Sequence, residues 1–108
     1  LTAQVPGGAY FAKWIIAVDE DVDPSNINQV LWAMSTRCNP AEDIDILRRM
    51  WSGPLDPRLP RGTTWNSRAV IDACRPFDML KDFPPVARAT PELRRKVEAK
   101  FRDLLARL

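Results

Sequence analysis

Apolar residues near the start of the chain form one nearly unbroken run. Tyr10 to Val18 reads YFAKWIIAV, rich in aromatic and β-branched residues, and stops at Asp19-Glu20-Asp21-Val22-Asp23. A short apolar run closed by charge predicts a strand over Ala12–Val18, buried on both faces. Farther on, Ile27, Val30, Leu31 and Met34 fall at i, i+3, i+4 and i+7, the spacing of one helix face. Asp23 before Pro24 reads as an N-cap followed by N1, where proline's missing N–H costs nothing. The predicted helix runs from about Pro24 to Arg37 and stops before Asn39-Pro40.

After an acidic turn at Ala41-Glu42-Asp43, Ile44-Asp45-Ile46-Leu47 predicts a second strand. Strand, helix and strand in so short a stretch fit a βαβ unit with the two strands as parallel neighbours. Trp51 to Trp65 contains Pro54, Pro57, Pro60, Gly53 and Gly62 and no periodicity. It predicts a long loop, of the kind that is functional or disordered. Ser67–Ala73 predicts a third strand, and Arg75-Pro76 to Pro91 a proline-punctuated connector. Thr90-Pro91-Glu92 then opens a helix with an N-cap, a proline at N1 and an acidic first turn. Leu93, Val97, Phe101, Leu104, Leu105 and Leu108 give it an apolar stripe, with Glu92–Lys96 and Glu98–Arg102 as candidate i,i+4 pairs. Residues 1–9 read as a Pro/Gly loop.

Composition narrows the chemistry. The 108 residues contain no histidine, which removes Ser-His-Asp and Cys-His nucleophilic sites and imidazole metal ligands. Ten prolines are about twice the usual ~5%, so much of the chain lies in turns and extended segments and leans on a partner surface. No apolar run approaches the roughly 18 residues of a membrane span. Cys38 and Cys74 form no C-x-x-C pair. With no signal-peptide pattern ahead of them, they read as reduced, core-filling thiols in a cytoplasmic protein. The chain does not open on methionine and begins in Leu1-Thr2-Ala3-Gln4-Val5-Pro6-Gly7-Gly8, so a segment of a longer protein is expected.

Charge is uneven. Residues 1–57 carry eight acids and four bases, net −4, and residues 58–108 carry six acids and twelve bases, net +6. The bases are interleaved with acids and lack an aromatic ladder, which argues against nucleic acid. Acids along the terminal helix favour packing on protein over a membrane surface. Asp19, Asp21 and Asp23 follow a strand, where carboxylates can hold Mg²⁺ or Mn²⁺. An EF-hand is excluded, because Pro24 and Val30 stand where glycine and glutamate are required. The competing reading is a solvated turn complementing the next helix N-terminus. Trp14 and Trp32 read as core or interface. Trp51 and Trp65 bracket the long loop, where they either line a pocket for a planar ligand or pin the loop down. From the residues alone, the chain is an oligomerising or docking domain with a candidate pocket-lining loop.

Several motifs together resemble the C-terminal region of UbiD-like decarboxylases. They are the strand Ile15-Ile16-Ala17-Val18 with its Asp19-Glu20-Asp21-Val22-Asp23 turn, and the helix segment Val30-Leu31-Trp32-Ala33-Met34-Ser35-Thr36-Arg37. The strand Asp43-Ile44-Asp45-Ile46, the loop core Pro54-Leu55-Asp56, Ile71-Asp72-Ala73-Cys74-Arg75-Pro76 and the Thr90-Pro91-Glu92-Leu93 helix start complete the set. The resemblance spans about Tyr10 to Leu105.

The resemblance implies a parent carboxy-lyase that reversibly decarboxylates aromatic or α,β-unsaturated acids on prenylated FMN, with Mn²⁺ and K⁺ at the cofactor phosphate. The family's cofactor site and catalytic residues lie in upstream domains, and no position here matches them. No catalytic residue, metal ligand or bound cofactor is therefore expected in this chain, and the fragment by itself is expected to be inactive. Its implied role is assembly into a dimer or hexamer alongside its own upstream domains. The expected interface is Leu93, Val97, Phe101, Leu104 and Leu105; the alternative is a free-standing interaction module. The loop by position implies Gly53, Pro54 and Leu55 at the substrate pocket, with the small Gly53 leaving room for a larger acid. The expected fold class is α/β: a small β-sheet with a βαβ-like start, a long proline-rich loop and an extended C-terminal amphipathic helix. The expected organisation is a small α/β domain over 1–75, a proline-rich connector over 76–90 and a docking helix over 91–108.

Overall fold

The computed structural model describes residues 12–108. The Pro/Gly loop expected over residues 1–9 and the opening of the first apolar run lie outside the described residues. The fold is α/β, as expected, and is organised around one strand. Strand β3 (Trp65–Ala73) has buried positions on both faces and is the central strand. It pairs parallel with β1 (Trp14–Val18), with Val18 opposite Ala73. It pairs antiparallel with β2 (Ile44–Trp51), with Ile44 opposite Ile71 and Trp51 opposite Trp65. The order is β1-β3-β2.

This order corrects the expected βαβ pairing, because β1 and β2 are not neighbours. The parallel partner of β1 is β3, and β2 is an edge strand, reached back from β3 by the proline loop. Ala69, Ile71 and Ala73 of β3 are buried, whereas β2 exposes Arg48 and Arg49. Charge on an edge strand discourages further pairing. β1 is also an edge, so Trp14 and Ala17 are exposed, contrary to a strand buried on both faces.

Helix α1 (Ile27–Arg37) starts three residues later than the sequence predicts. Asn26 is the N-cap, its side chain accepting from the Asn28 and Gln29 N–H groups. Asp23-Pro24 instead opens a turn. The Asn26 N–H bonds the Asp23 carbonyl, and Asp23 Oδ1 accepts from the Ser25 N–H and hydroxyl. Proline is as well suited to the second position of a β-turn as to N1 of a helix. The buried stripe is also rotated, to Val30, Ala33 and Arg37 with Met34 partly buried; Ile27 and Leu31 face outward. Val22, Val30, Ala33 and Ala73 form the core, joined by Ile16, Val18, Met34 and Cys38. Ala33 and Ala73, both fully buried, allow the helix close to the sheet.

The acidic turn after β1 is held by Arg37, in the last turn of α1, rather than by the helix N-terminus. The Arg37 side chain is 1% exposed; its Nη1 and Nη2 reach both oxygens of Asp21 at 2.8 Å, and Nη1 also reaches Asp19 Oδ2 at 2.6 Å. Arg75, just past β3, donates to the same Asp19 oxygen from its backbone N–H at 2.9 Å and from Nε at 3.2 Å. The ends of β1, α1 and β3 are thereby tied at one point. The Trp32 ring lies 5.0 Å from the Arg37 guanidinium and adds a cation–π contact.

Short helix α2 (Pro40–Asp43) replaces the expected acidic turn, and a 3₁₀ turn at Phe77–Met79 punctuates the connector. Thr90 caps α3 (Pro91–Lys100) as expected, accepting from the Leu93 N–H. Helicity breaks at Phe101 and resumes in α4 (Arg102–Leu105), so the terminal helix is not continuous to Leu108. Its ion pairs are Arg94–Glu98 and Glu92–Arg95, instead of Glu92–Lys96 and Glu98–Arg102. The radius of gyration is 19.6 Å, against about 13 Å for a compact chain near this length. No helix of the described residues is long and apolar enough to cross a membrane.

Replacing Arg37 by Met should destabilise the chain by about 1.5–3 kcal/mol in urea unfolding, because its charge-assisted hydrogen bonds to Asp19 and Asp21 are lost while Asp19 keeps Arg75 and Asp21 is partly hydrated. Arg37→Lys should rescue little, since an ammonium cannot serve two carboxylates with a planar fork. The Arg37 hydrogen bonds hold the Asp21 carboxyl down at about 2, against its ordinary 3.8. The folded state then binds fewer protons than the unfolded one, so stability should fall as pH drops through 3.8 towards 2. Asp21→Asn should remove that part of the acid dependence, read by unfolding midpoints across the same window.

Candidate functional site

The proline loop, residues 52–64, is ordered by local turn chemistry and by a buried polar network. Two β-turns follow one another: the Leu59 N–H bonds the Asp56 carbonyl and the Thr63 N–H bonds the Pro60 carbonyl. Pro57 takes the second position of the first turn. Gly62, at φ 82°, takes the third position of the second, where a type II turn needs a left-handed residue. Asp56 Oδ1 accepts from the Arg58 N–H at 3.0 Å, which stiffens the first turn.

Asp56 is the hub on the loop side. Lys13, just before β1, donates to its Oδ1 at 2.7 Å, and Asn66 Nδ2 donates to its Oδ2 at 3.3 Å. These bonds, with the Lys13 contribution largest, lower the Asp56 carboxyl below its ordinary range. Asn66 Nδ2 also reaches Ser52 Oγ at 3.1 Å. Arg68, one alternation along β3, donates from Nε to Asn66 Oδ1 at 3.4 Å and from Nη2 to the Trp51 carbonyl at 2.6 Å. Ser52, Asn66 and Arg68 are all buried. Beside this network, Lys13, Asp56, Arg58, Leu59, Pro60 and Trp65 line much of a cleft of about 410 Å³.

Of the expected pocket residues, Gly53 is buried at the base of the loop, while Pro54 and Leu55 are exposed. None of the three lines the 410 Å³ cleft. Trp51 and Trp65 face each other across the β2–β3 pair and are about half exposed. A bulge between Leu47 and Met50 inserts one extra residue in β2. There Arg49 adopts φ 57° and lays its guanidinium 5.6 Å from the Trp65 ring. Ser52 belongs to the loop start that the family resemblance placed at the pocket, whereas Lys13, Asn66 and Arg68 were not legible as site residues. Asn66 and Arg68 alternate along a strand and read as its solvent face, and here they are buried beneath the loop.

The expected interface residues Leu93, Val97, Phe101, Leu104 and Leu105 lie on α3, α4 and the break between them. Each is between 43% and 58% exposed. Trp14 (71% exposed) and Trp32 are likewise not core within this chain. Among the described residues, no group of three or more His, Cys, Asp or Glu is arranged to hold a metal ion. The Asp19 and Asp21 carboxylates are taken by guanidinium groups. Both cysteines are free thiols. Cys74 is pushed up to about 11, first by burial and then by its hydrogen bond with Asp72, and burial also raises Cys38.

Against known proteins, residues 2–73, two thirds of the chain, match the family described as 3-octaprenyl-4-hydroxybenzoate carboxy-lyase C-terminal domain. The class is therefore a carboxy-lyase C-terminal domain. The chain belongs to the UbiD family. It is 42% identical to a phenolic acid decarboxylase of Sedimentibacter hydroxybenzoicus over 72 residues, covering 66% of this chain and 15% of that protein. It is 46% identical to a phenolic acid decarboxylase of Escherichia coli O157:H7 over the same shares of each. The structure of Sedimentibacter hydroxybenzoicus vanillic acid decarboxylase in closed form matches with TM-score 0.69 and 31% identity, over 96% of this chain and 22% of that one. A UbiD-class enzyme of Pelotomaculum thermopropionicum, solved in complex with FMN, shares the fold at TM-score 0.64 and 23% identity, over 81% of this chain and 19% of that one. The chain thus spans about 15% of the length of these curated relatives.

At pH 8 the Cys74 thiol should be alkylated by iodoacetamide on the order of a hundredfold more slowly than a free thiol of pKa ~8.5. In a Cys38→Ala background, its rate should keep climbing towards pH 11, and a plateau near pH 9 would refute the burial effect.

Proposed function

We propose that this chain is the assembly domain of a carboxy-lyase acting on aromatic acids, and that its terminal arm docks on a neighbouring subunit. The carrying observation is the arm itself. Leu93, Val97, Phe101, Leu104 and Leu105 are all substantially exposed, on helices that contain no buried residue. Full burial of such a side chain is worth about 1.5–3 kcal/mol; these five are about half exposed, so covering the remainder favours association by part of that amount each. The relatives named as phenolic acid decarboxylases support an aromatic acid as substrate. The two free thiols fit a reducing compartment such as the cytoplasm.

The prenylated FMN, Mn²⁺ and K⁺ implied by the family resemblance belong, in this reading, to upstream domains of the parent enzyme. The donor set of the described residues does not suit a flavin phosphate with its metal, because the acidic turn is already neutralised by Arg37 and Arg75. The contribution of this chain to catalysis is to the shape of the substrate pocket, through Gly53, Pro54 and Leu55.

In the parent enzyme, Phe101→Asp should lower the assembled mass measured by light scattering; an unchanged mass would refute the arm's role. Gly53→Phe should narrow the range of aromatic acids turned over, with bulky substrates lost first. An unchanged range would remove the loop from the pocket.

A further inference from the structure

The segment Gly53-Pro54-Leu55, in which Gly53 is buried and Pro54 and Leu55 form the exposed tip, is flanked by Ser52 and Asp56, and both flanks are bonded to the same side-chain nitrogen. We propose that Asn66 is a positioning residue that staples the base of this loop. Asn66 Nδ2 donates to Ser52 Oγ at 3.1 Å and to Asp56 Oδ2 at 3.3 Å, closing a five-residue span over a strand that cannot move independently of the sheet.

The orientation of the amide follows from its third partner. Arg68 Nε lies 3.4 Å from Asn66 Oδ1, and a guanidinium can only donate. The oxygen must therefore face Arg68, which leaves the NH₂ facing Ser52 and Asp56. The groups are shielded from water: Asn66 is 8% exposed, Ser52 and Arg68 1% each, and the Asp56 side chain 6%. Around the staple, the Ser52 N–H bonds the Thr64 carbonyl and Lys13 holds the far oxygen of Asp56. The tip above is solvent-facing, with Leu55 76% exposed. A fixed base and a projecting tip suit a segment that must present side chains to a ligand at defined positions.

The proposal rests on the reading of Gly53–Leu55 as substrate-facing, and two measurements on the parent enzyme separate them. The first is amide hydrogen exchange over residues 53–59 in Asn66→Leu, which keeps the bulk and removes the donor. Exchange there should rise about tenfold or more, with β1 and α1 unchanged. The second is steady-state kinetics with a phenolic acid that the enzyme turns over. KM should rise severalfold while kcat changes less than twofold, the signature of binding lost equally from ground and transition states. Ser52→Ala, which removes one of the two bonds, should give a smaller rise in exchange, and serves if Asn66→Leu fails to fold. Faster exchange with altered KM supports both readings. Faster exchange with unchanged kinetics supports the staple and overturns the substrate-facing role of the tip. Unchanged exchange in a folded variant overturns the staple.

Discussion

A guanidinium buried to 1% exposure is the constraint on which the rest of this structure depends. An isolated charge in that position would cost several kcal/mol, so Arg37 must be met by carboxylates with good geometry. Asp21 supplies a two-pronged partner and Asp19 a second anion, which Arg75 shares. The parallel pairing of β1 with β3 makes this possible, because Val18 and Ala73 are opposite one another and the residues after them emerge side by side. The last turn of α1 is thereby fixed against both strands, and Val30 and Ala33 are set on Ala73. Cations also suit the negative end of a helix, so the site is favourable for α1 itself.

The two faces of β3 do different work. Ala69, Ile71 and Ala73 share the face that includes the helix-packed core, and Asn66 and Arg68 share the opposite one. Low dielectric makes a fully bonded polar network rigid and a half-bonded one costly. The loop is therefore specified by the sheet beneath it as much as by its prolines. Its bulged neighbour, with Arg49 in the left-handed region, stores local strain of about 1–2 kcal/mol, offset by the stacking of Arg49 on Trp65.

Element types were legible because they depend on local pattern. The apolar runs of all three strands, the Thr90 cap and the irregular proline loop are found where the pattern predicts them. What was not legible is long-range. No spacing rule says that β2 folds back on β3, or that Arg37 is a core residue whose partners lie sixteen and eighteen positions earlier. The helix start was misassigned because Asp23-Pro24 satisfies two local grammars, and Asn26, a better-placed cap, decided between them. The loop network was invisible for a related reason: Lys13 and Asp56 are forty-three residues apart, and Asn66 and Arg68 look like surface positions. By contrast, the family could be identified, because its motifs are short contiguous strings that need no tertiary knowledge.

The buried apolar core is small for a chain of this length. Among the described residues, the buried apolar ones are Val22, Val30, Ala33, Ala69, Ile71 and Ala73, half of them alanines. Alanine burial contributes little area, and domains near 100 residues already hide only about two thirds of their unfolded surface. Meanwhile Trp14, Ile27, Leu31, Leu55 and the arm residues keep large apolar side chains in water. Free energy that a self-sufficient domain would gain internally is here left on the surface, available only when another surface covers it. The polar ties at Arg37 and Asn66 give shape without requiring bulk, and the apolar side chains of the arm remain exposed.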